Sequence, residues 1–263
     1  MSEETKNQGK NKNKLHAVLA VEATNKAQAE KILNEQISNF SKNDSRFDGL
    51  TRVLIPLEGE GERMTTDNKI INYTVIENVA YVADIVCKYL NTTLTKEETN
   101  SSGAARAELI IQGESYGEVS ATSLLALENY IAKVRRFYEA IPTLDPTKDW
   151  KEDETKSRGF KRTDAERKYK TEKRTKHIVV HPPTEHFPAE IRESTTDVQV
   201  GKYETVYTST KISTRDKAEL LKRIDVVLEA VKTTRAKANE AEAKQSELAT
   251  KLFDFINKDI INS

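Results

Sequence analysis

The sequence predicts an α+β fold: antiparallel strands, amphipathic helices and a long C-terminal coiled-coil-like helix. Three observations carry this. Stretches with apolar residues three and four apart have the period of a helix, and stretches of β-branched residues alternating in polarity have that of a strand. Glycine or proline punctuates most of the joins between them. After Gly201 there is no further glycine and after Pro188 no further proline, so nothing local interrupts a final helix.

Residues 1–14, MSEETKNQGKNKNK, lack the apolar centre of a signal peptide and read as a disordered polar tail. An N-terminal α+β region is expected over 15–144. Its first segment, LHAVLAVEA, reads as a strand, with Thr24 or Asn25 capping a helix that carries Ala27, Ile32, Leu33, Ile37 and Phe40. GLTRVLIPLEGEGE reads as a short strand entering an exposed acidic loop. Val75, Val79, Val82, Val86 and Leu90 recur at helical spacing. ARAELIIQGESYGEVSA reads as two strands joined at Gln112-Gly113. Ser120 or Thr122 then opens a helix with Leu124, Leu125, Leu127, Ile131, Val134, Phe137 and Tyr138 on one broad face, ended by Pro142 and Pro146.

Residues 145–176 are highly charged and almost free of aliphatics, as expected of a linker or arm. An antiparallel β region follows over 177–212. Ser213 with Asp216 resembles a capping box that opens a helix over 213–263. Along it Leu220, Ile224, Val227, Val231, Thr234, Ala238, Ala241, Gln245, Leu248, Leu252 and Phe255 form a heptad seam. A continuous helix over 213–256 spans roughly 65 Å at ~1.5 Å per residue. It must therefore leave its own globule or break in two, with Asn239 as the place to break. A seam this long calls for a partner surface, so Leu220, Ile224, Val227, Val231, Ala238, Leu248, Leu252 and Phe255 are the candidate interface of a homo-oligomer.

With 42 Lys plus Arg against 42 Asp plus Glu, the chain is no bulk polycation, and any polyanion affinity must come from a local patch. No run approaches ~18 apolar residues, so no membrane span is expected, and a cytoplasmic location follows. The lone Cys87 excludes an intramolecular disulfide and reads as a small core residue. Gly59-Glu60-Gly61 has acidic flanks and no following Lys-Ser/Thr, which excludes a P-loop.

The neutrality is a cancellation. Residues 15–155 hold 23 carboxylates against 15 cations, whereas Lys156–Lys176 hold ten cations against three carboxylates, with Phe160 and Tyr169 between the charges. Cations interleaved with aromatics suit phosphate contacts, so Lys161, Arg162, Lys173, Arg174 and Lys176 are candidate residues for a nucleotide, a nucleic acid or another polyanion. The plainer reading is a solvated arm, or a strap across an acidic face of the protein itself. Three of the four histidines, His177, His181 and His186, fall close together, and His181 and His186 are candidate metal ligands. Their spacing matches no established metal motif, and two strand-end histidines with a loop histidine are the plainer reading. No cofactor is predicted.

The blocks LLALENYIAKVRRFYEAIPTLDPTKDW, HPPTEHFPAEI and VGKYETVYTSTKISTRDKAELLKRIDVVLEAVKTTRAKANEAEA resemble an uncharacterised family of bacterial and phage proteins, common in actinomycetes. The resemblance covers about Leu15 to Ala243, is tightest in the C-terminal block, and leaves LFDFINKDII as an extension. It implies a shared fold and transfers no catalytic residue. By analogy alone it also implies an accessory or host-interaction role. The expected function is therefore non-enzymatic: a self-associating protein presenting a basic, His-containing β region to a partner. A nucleotide- or nucleic-acid-binding module is the alternative, and a metal-dependent hydrolase the third.

Overall fold

A computed structural model describes residues 14–58, 61–181, 190–241 and 246–257, with only the backbone given for His181, Glu190, Ile256 and Asn257. It is mixed helix and antiparallel sheet. Helix α1 is Leu15–Lys42, followed by a 3₁₀ turn Asp44–Phe47, strand β1 Asp48–Pro56 and strand β2 Met64–Lys69. Helix α2 is Val75–Asn100, the hairpin strands β3 and β4 are Arg106–Ile111 and Glu114–Ser120, and helix α3 is Ala121–Ala140. The short strands β5 Lys151–Glu152 and β6 Lys161–Arg162 precede the long strands β7 Glu166–His181 and β8 Glu190–Ser209. Helices α4 Thr214–Ala238 and α5 Leu248–Asn257 close the described chain.

Helices α1, α2 and α3 share one core in which Phe40 stacks on Phe137 at 5.4 Å and meets Phe47 at 5.3 Å. The expected apolar face of α2 supplies Val75, Val82 and Val86 to it. That helix starts where it does because Thr74 and Glu77 form a reciprocal capping box, with bonds of 3.0 and 2.8 Å. In the β3–β4 hairpin Gln112 and Gly113 both take positive φ, 51° and 86°, as a two-residue hairpin turn requires. Ser120 caps α3 and Ser213 caps α4, each accepting the N–H three residues on.

Three expectations are corrected here. LHAVLAVEA is not a strand but the first turns of α1, and the helix runs through Asn25 instead of starting there. Asn25 is buried and donates to Thr92 Oγ1 at 3.1 Å, so a bond to α2 replaces its capping role. The charged stretch 145–176 is not a plain linker: it contains β5, β6 and eleven residues of β7. The final helix is not continuous. It ends at Ala238, where the Asn239 N–H bonds back to the carbonyls of Arg235 and Ala236, and Leu248–Asn257 form a separate helix. Asn239, Glu240 and Ala241, which follow, are exposed, so no packed contact carries the helix on past Ala238.

The first half of the seam is used within the chain. Val231 and Ala238 pack with Leu109 and Leu124, and Val227 lies against the same cluster. Leu220 packs instead on the three-helix core. Arg135 meets Asp225 at 2.7 Å and Arg235 meets Glu128 at 2.7 Å, which sets α3 and α4 antiparallel. Ile224 is half-buried. On α5, by contrast, Leu248, Leu252, Phe253 and Phe255 are all exposed. Cys87, expected in the core, is exposed on α2.

The large sheet runs β2-β1-β8-β6-β5, with β7 also on β8. Gly49 allows β1 and β2 to meet, since a Cβ there lies 2.5 Å from the Lys69 carbonyl oxygen. β1 pairs with β8 from Asp48↔Ser209 out to Pro56↔Gly201, and there it stops. At that point Lys170 opposes Gly201 while Thr171 opposes Gln199, which leaves Val200 as an extra residue in β8. Beyond this bulge β7 and β8 continue alone as a two-stranded ribbon.

Candidate polyanion interface

In the ribbon beyond Gly201, Thr171 to Val180 are all exposed. On the facing strand, Ile191 to Gln199 are exposed except for Ser194 and Val198, which are half-buried. Eleven residues, Thr171 to His181, extend it by roughly 36 Å at ~3.3 Å per residue. Such a length of strand with neither face covered adds little to a core.

Register sorts its charges. Directly opposed residues share a face, and so do alternate residues along a strand. Over Glu166–Val179 and Ile191–Thr205 one face carries Lys168, Lys170, Arg174, Lys176 and Arg192 with Glu166 and Glu172, five cations against two carboxylates. The other face carries Arg167, Lys173 and Lys202 with Glu193, Asp197 and Glu204, three against three. On the balanced face every β7 cation has an acid opposite it: Arg167↔Glu204, Lys173↔Asp197 and, at the histidine, His177↔Glu193. Arg167 meets Glu204 at 2.9 Å and His177 stands 3.7 Å from Glu193. The Arg167 hydrogen bond, with Lys202 adding to it, holds the Glu204 carboxyl below the usual carboxylate range.

On the basic face Lys170 and Glu172 pair at 2.6 Å, which lowers the Glu172 carboxyl. Among the described residues, Lys168, Lys176 and Arg192 have no carboxylate within salt-bridge distance. Ile178, opposite Arg192 on this face, is about half exposed, as are Val179 and Ile191, which oppose each other on the balanced face.

The structure separates the sequence candidates. Lys161 and Arg162 form β6, in the body of the sheet, with Lys161 3.7 Å from Glu152. Arg174 and Lys176 lie on the basic face and Lys173 on the balanced one. Lys168, Lys170 and Arg192 were missed. Arg192 lies on β8, opposite Ile178, so only the strand register brings it to the other cations. His181 ends β7 after a register shift at Val180, which interrupts the plain alternation expected to place it with His177. His186 lies outside the described residues, and no group of three metal-ligating side chains occurs among those described.

A second concavity, of about 300 Å³, lies between β1, β8 and the 145–150 loop. Its cations are engaged within the chain. Lys211 bridges Asp48 at 2.6 Å and Asp44 at 3.1 Å, Lys69 donates to the Ser45 carbonyl at 2.6 Å, and Lys148 sits over the Tyr207 ring. Trp150 closes the loop by donating to the Asp145 carbonyl. These contacts tie the loop to the sheet.

No helix among the described residues is long and apolar enough to cross a membrane. No curated protein matches the chain, and no solved structure matches it. A family model does match, over residues 12–259, nearly the whole length, in keeping with the uncharacterised family the sequence resembles. The chain belongs to DUF7873, a family of unknown function.

Proposed function

We propose that the protein is a non-enzymatic binding protein that presents the basic face of its β7–β8 ribbon to a polyanion. The supporting observation is the sorting of charge on an arm that buries almost nothing: over Thr171–Val179 and Ile191–Gln199 one face carries Arg174, Lys176 and Arg192 against Glu172, the other Lys173 against Glu193 and Asp197. A solvated strap has no reason to keep its cations to one side. Sorted cations engage phosphates while the carboxylates stay neutralised on the far face.

The test is binding of the full chain to linear polyphosphate and to mixed-sequence nucleic acid at several salt concentrations. The three cations of the arm's basic face, Arg174, Lys176 and Arg192, predict a slope of about −3 in log K against log salt for nucleic acid. Lys176→Glu with Arg192→Glu should abolish binding, while Lys173→Glu on the balanced face should leave most of it. Absence of binding, or binding indifferent to salt, sinks the proposal.

A second reading, self-association, is supported by α5. A ten-residue helix is marginal in water by itself, and this one exposes Leu248, Leu252, Phe253 and Phe255. In this reading α5 carries the contact between copies, because the Leu220–Ala238 half of the seam is occupied within the chain. Analytical ultracentrifugation of the full chain against one ending at Asn239 tests it, and an unchanged assembly state removes α5 from the contact.

A further inference from the structure

We infer that the polyanion is B-form duplex DNA, entered through its major groove by the β7–β8 ribbon; this rests on the polyanion reading above. The first argument is size. The major groove, ~12 Å wide, admits a two-stranded ribbon, and strands ~4.8 Å apart with their side chains fill that width. The free length of roughly 36 Å matches one turn of B-DNA, ~34 Å. Cations two residues apart on one strand face stand ~6.6 Å from one another, about two phosphate steps of ~3.4 Å rise. In the free ribbon Arg174 and Lys176 have that spacing, and Glu172 before them is neutralised by Lys170 at 2.6 Å from the sheet side.

The second argument is the order of chemistry along the arm. On the basic face Arg174 and Lys176 are followed by Ile178, opposite Arg192, while Val179 and Ile191 oppose each other on the other face, all three aliphatics about half exposed. A ribbon lying in the groove sets its cations against the phosphate rims. Ile178, on the same face, then meets base edges, where the thymine methyl group is the apolar feature to contact.

The other nucleic acids fit less well. Single strands are held on successive aromatic rings, but the described residues of the ribbon carry no Phe, Tyr or Trp, and Tyr169 and Tyr203 beside it in the sheet lie on opposite faces. A-form RNA has a deep, narrow major groove that excludes the ribbon.

The experiment uses the full chain and anisotropy with fluorescent probes: duplex DNA of about two turns (~20 base pairs), duplex RNA of the same sequence, the single DNA strand and linear polyphosphate. Duplex DNA should bind at least about ten-fold tighter than either other nucleic acid. A minor-groove ligand should not displace the protein, whereas a ligand filling the major groove should. R192E should weaken duplex binding by about ten-fold or more, and K173E by no more than about three-fold. Equal binding to all nucleic acids, or displacement by the minor-groove ligand, overturns the duplex-DNA inference and leaves the polyanion reading standing. Failure to bind any probe, polyphosphate included, overturns both.

Discussion

Glu98 and Arg106 meet at 2.7 Å where the end of α2 passes β3, and the same carboxylate accepts the Ser120 backbone N–H at 3.0 Å. Burial alone raises the Glu98 carboxyl. Hydrogen bonds from Ser123, from the Ser120 N–H and hydroxyl, and from Arg106 outweigh burial and bring the pKa down to about 2. The group thus links α2 to the N-terminus of α3 through an ionised carboxylate.

A carboxyl with a depressed folded pKa stabilises above its unfolded value of 4.5 and loses that contribution as pH falls through about 2. Glu98→Gln should therefore cost about 1 kcal/mol at neutral pH, a figure kept low because a third of the side chain is exposed. The gap between wild type and variant should close across that acid window. Urea denaturation at several pH values measures it, and a gap that does not change with pH refutes it.

Lys211 gives the opposite sign. Burial lowers its pKa, but hydrogen bonds to Asp48 and Asp44 overcome that and raise it above 10.5. Its contribution is complete below 10.5 and declines as pH rises through the higher folded value. Lys211→Met should cost about 1–2 kcal/mol near pH 8, since Asp44 and Asp48 are partly exposed and stay hydrated without it. Chemical denaturation at pH 8 and in strong alkali should show the difference shrinking upward.

Tyr130 is buried between α1, α2 and α3, 4.8 Å from the Tyr89 ring, and burial pushes its phenol up to about 12. Among the described residues its hydroxyl has no hydrogen-bond partner. Tyr130→Phe should therefore stabilise the protein by about 1 kcal/mol, raising Tm by about 2–4 °C. A fall in Tm by calorimetry identifies a partner for that hydroxyl.

Replacing Thr171–Gln199 with an Asn-Gly turn should leave the unfolding midpoint within about 2 °C while abolishing polyanion binding. Circular dichroism melts and anisotropy on the same sample check both halves. A large loss of stability would show that the ribbon supports the core.

Local chemistry made much of the fold legible in the sequence. Gln112-Gly113, Ser120 and Ser213 mark their boundaries through neighbours within three residues. Contacts between distant residues hid the rest. Asn25 looked like a cap because Thr92, its partner, lies sixty-seven residues away. β7 looked like a linker because both of its faces meet water, so the alternation of apolar and polar residues that marks a half-buried strand is missing. The candidate site was half legible: Arg174 and Lys176 stood out as charge. Separating them from Lys173 and joining them to Arg192 requires the register with β8, including the extra residue at Val200.

The bulge at Val200 also divides what selection acts on. On its near side, a change at Gly201 meets the Ile55 carbonyl at 2.9 Å and disturbs the sheet. Beyond it, substitutions from Thr171 to Val179 and from Ile191 to Gln199 touch almost no packed surface, so they cost the fold little. Related chains can therefore keep one scaffold while this ribbon varies, and family members should differ most along it.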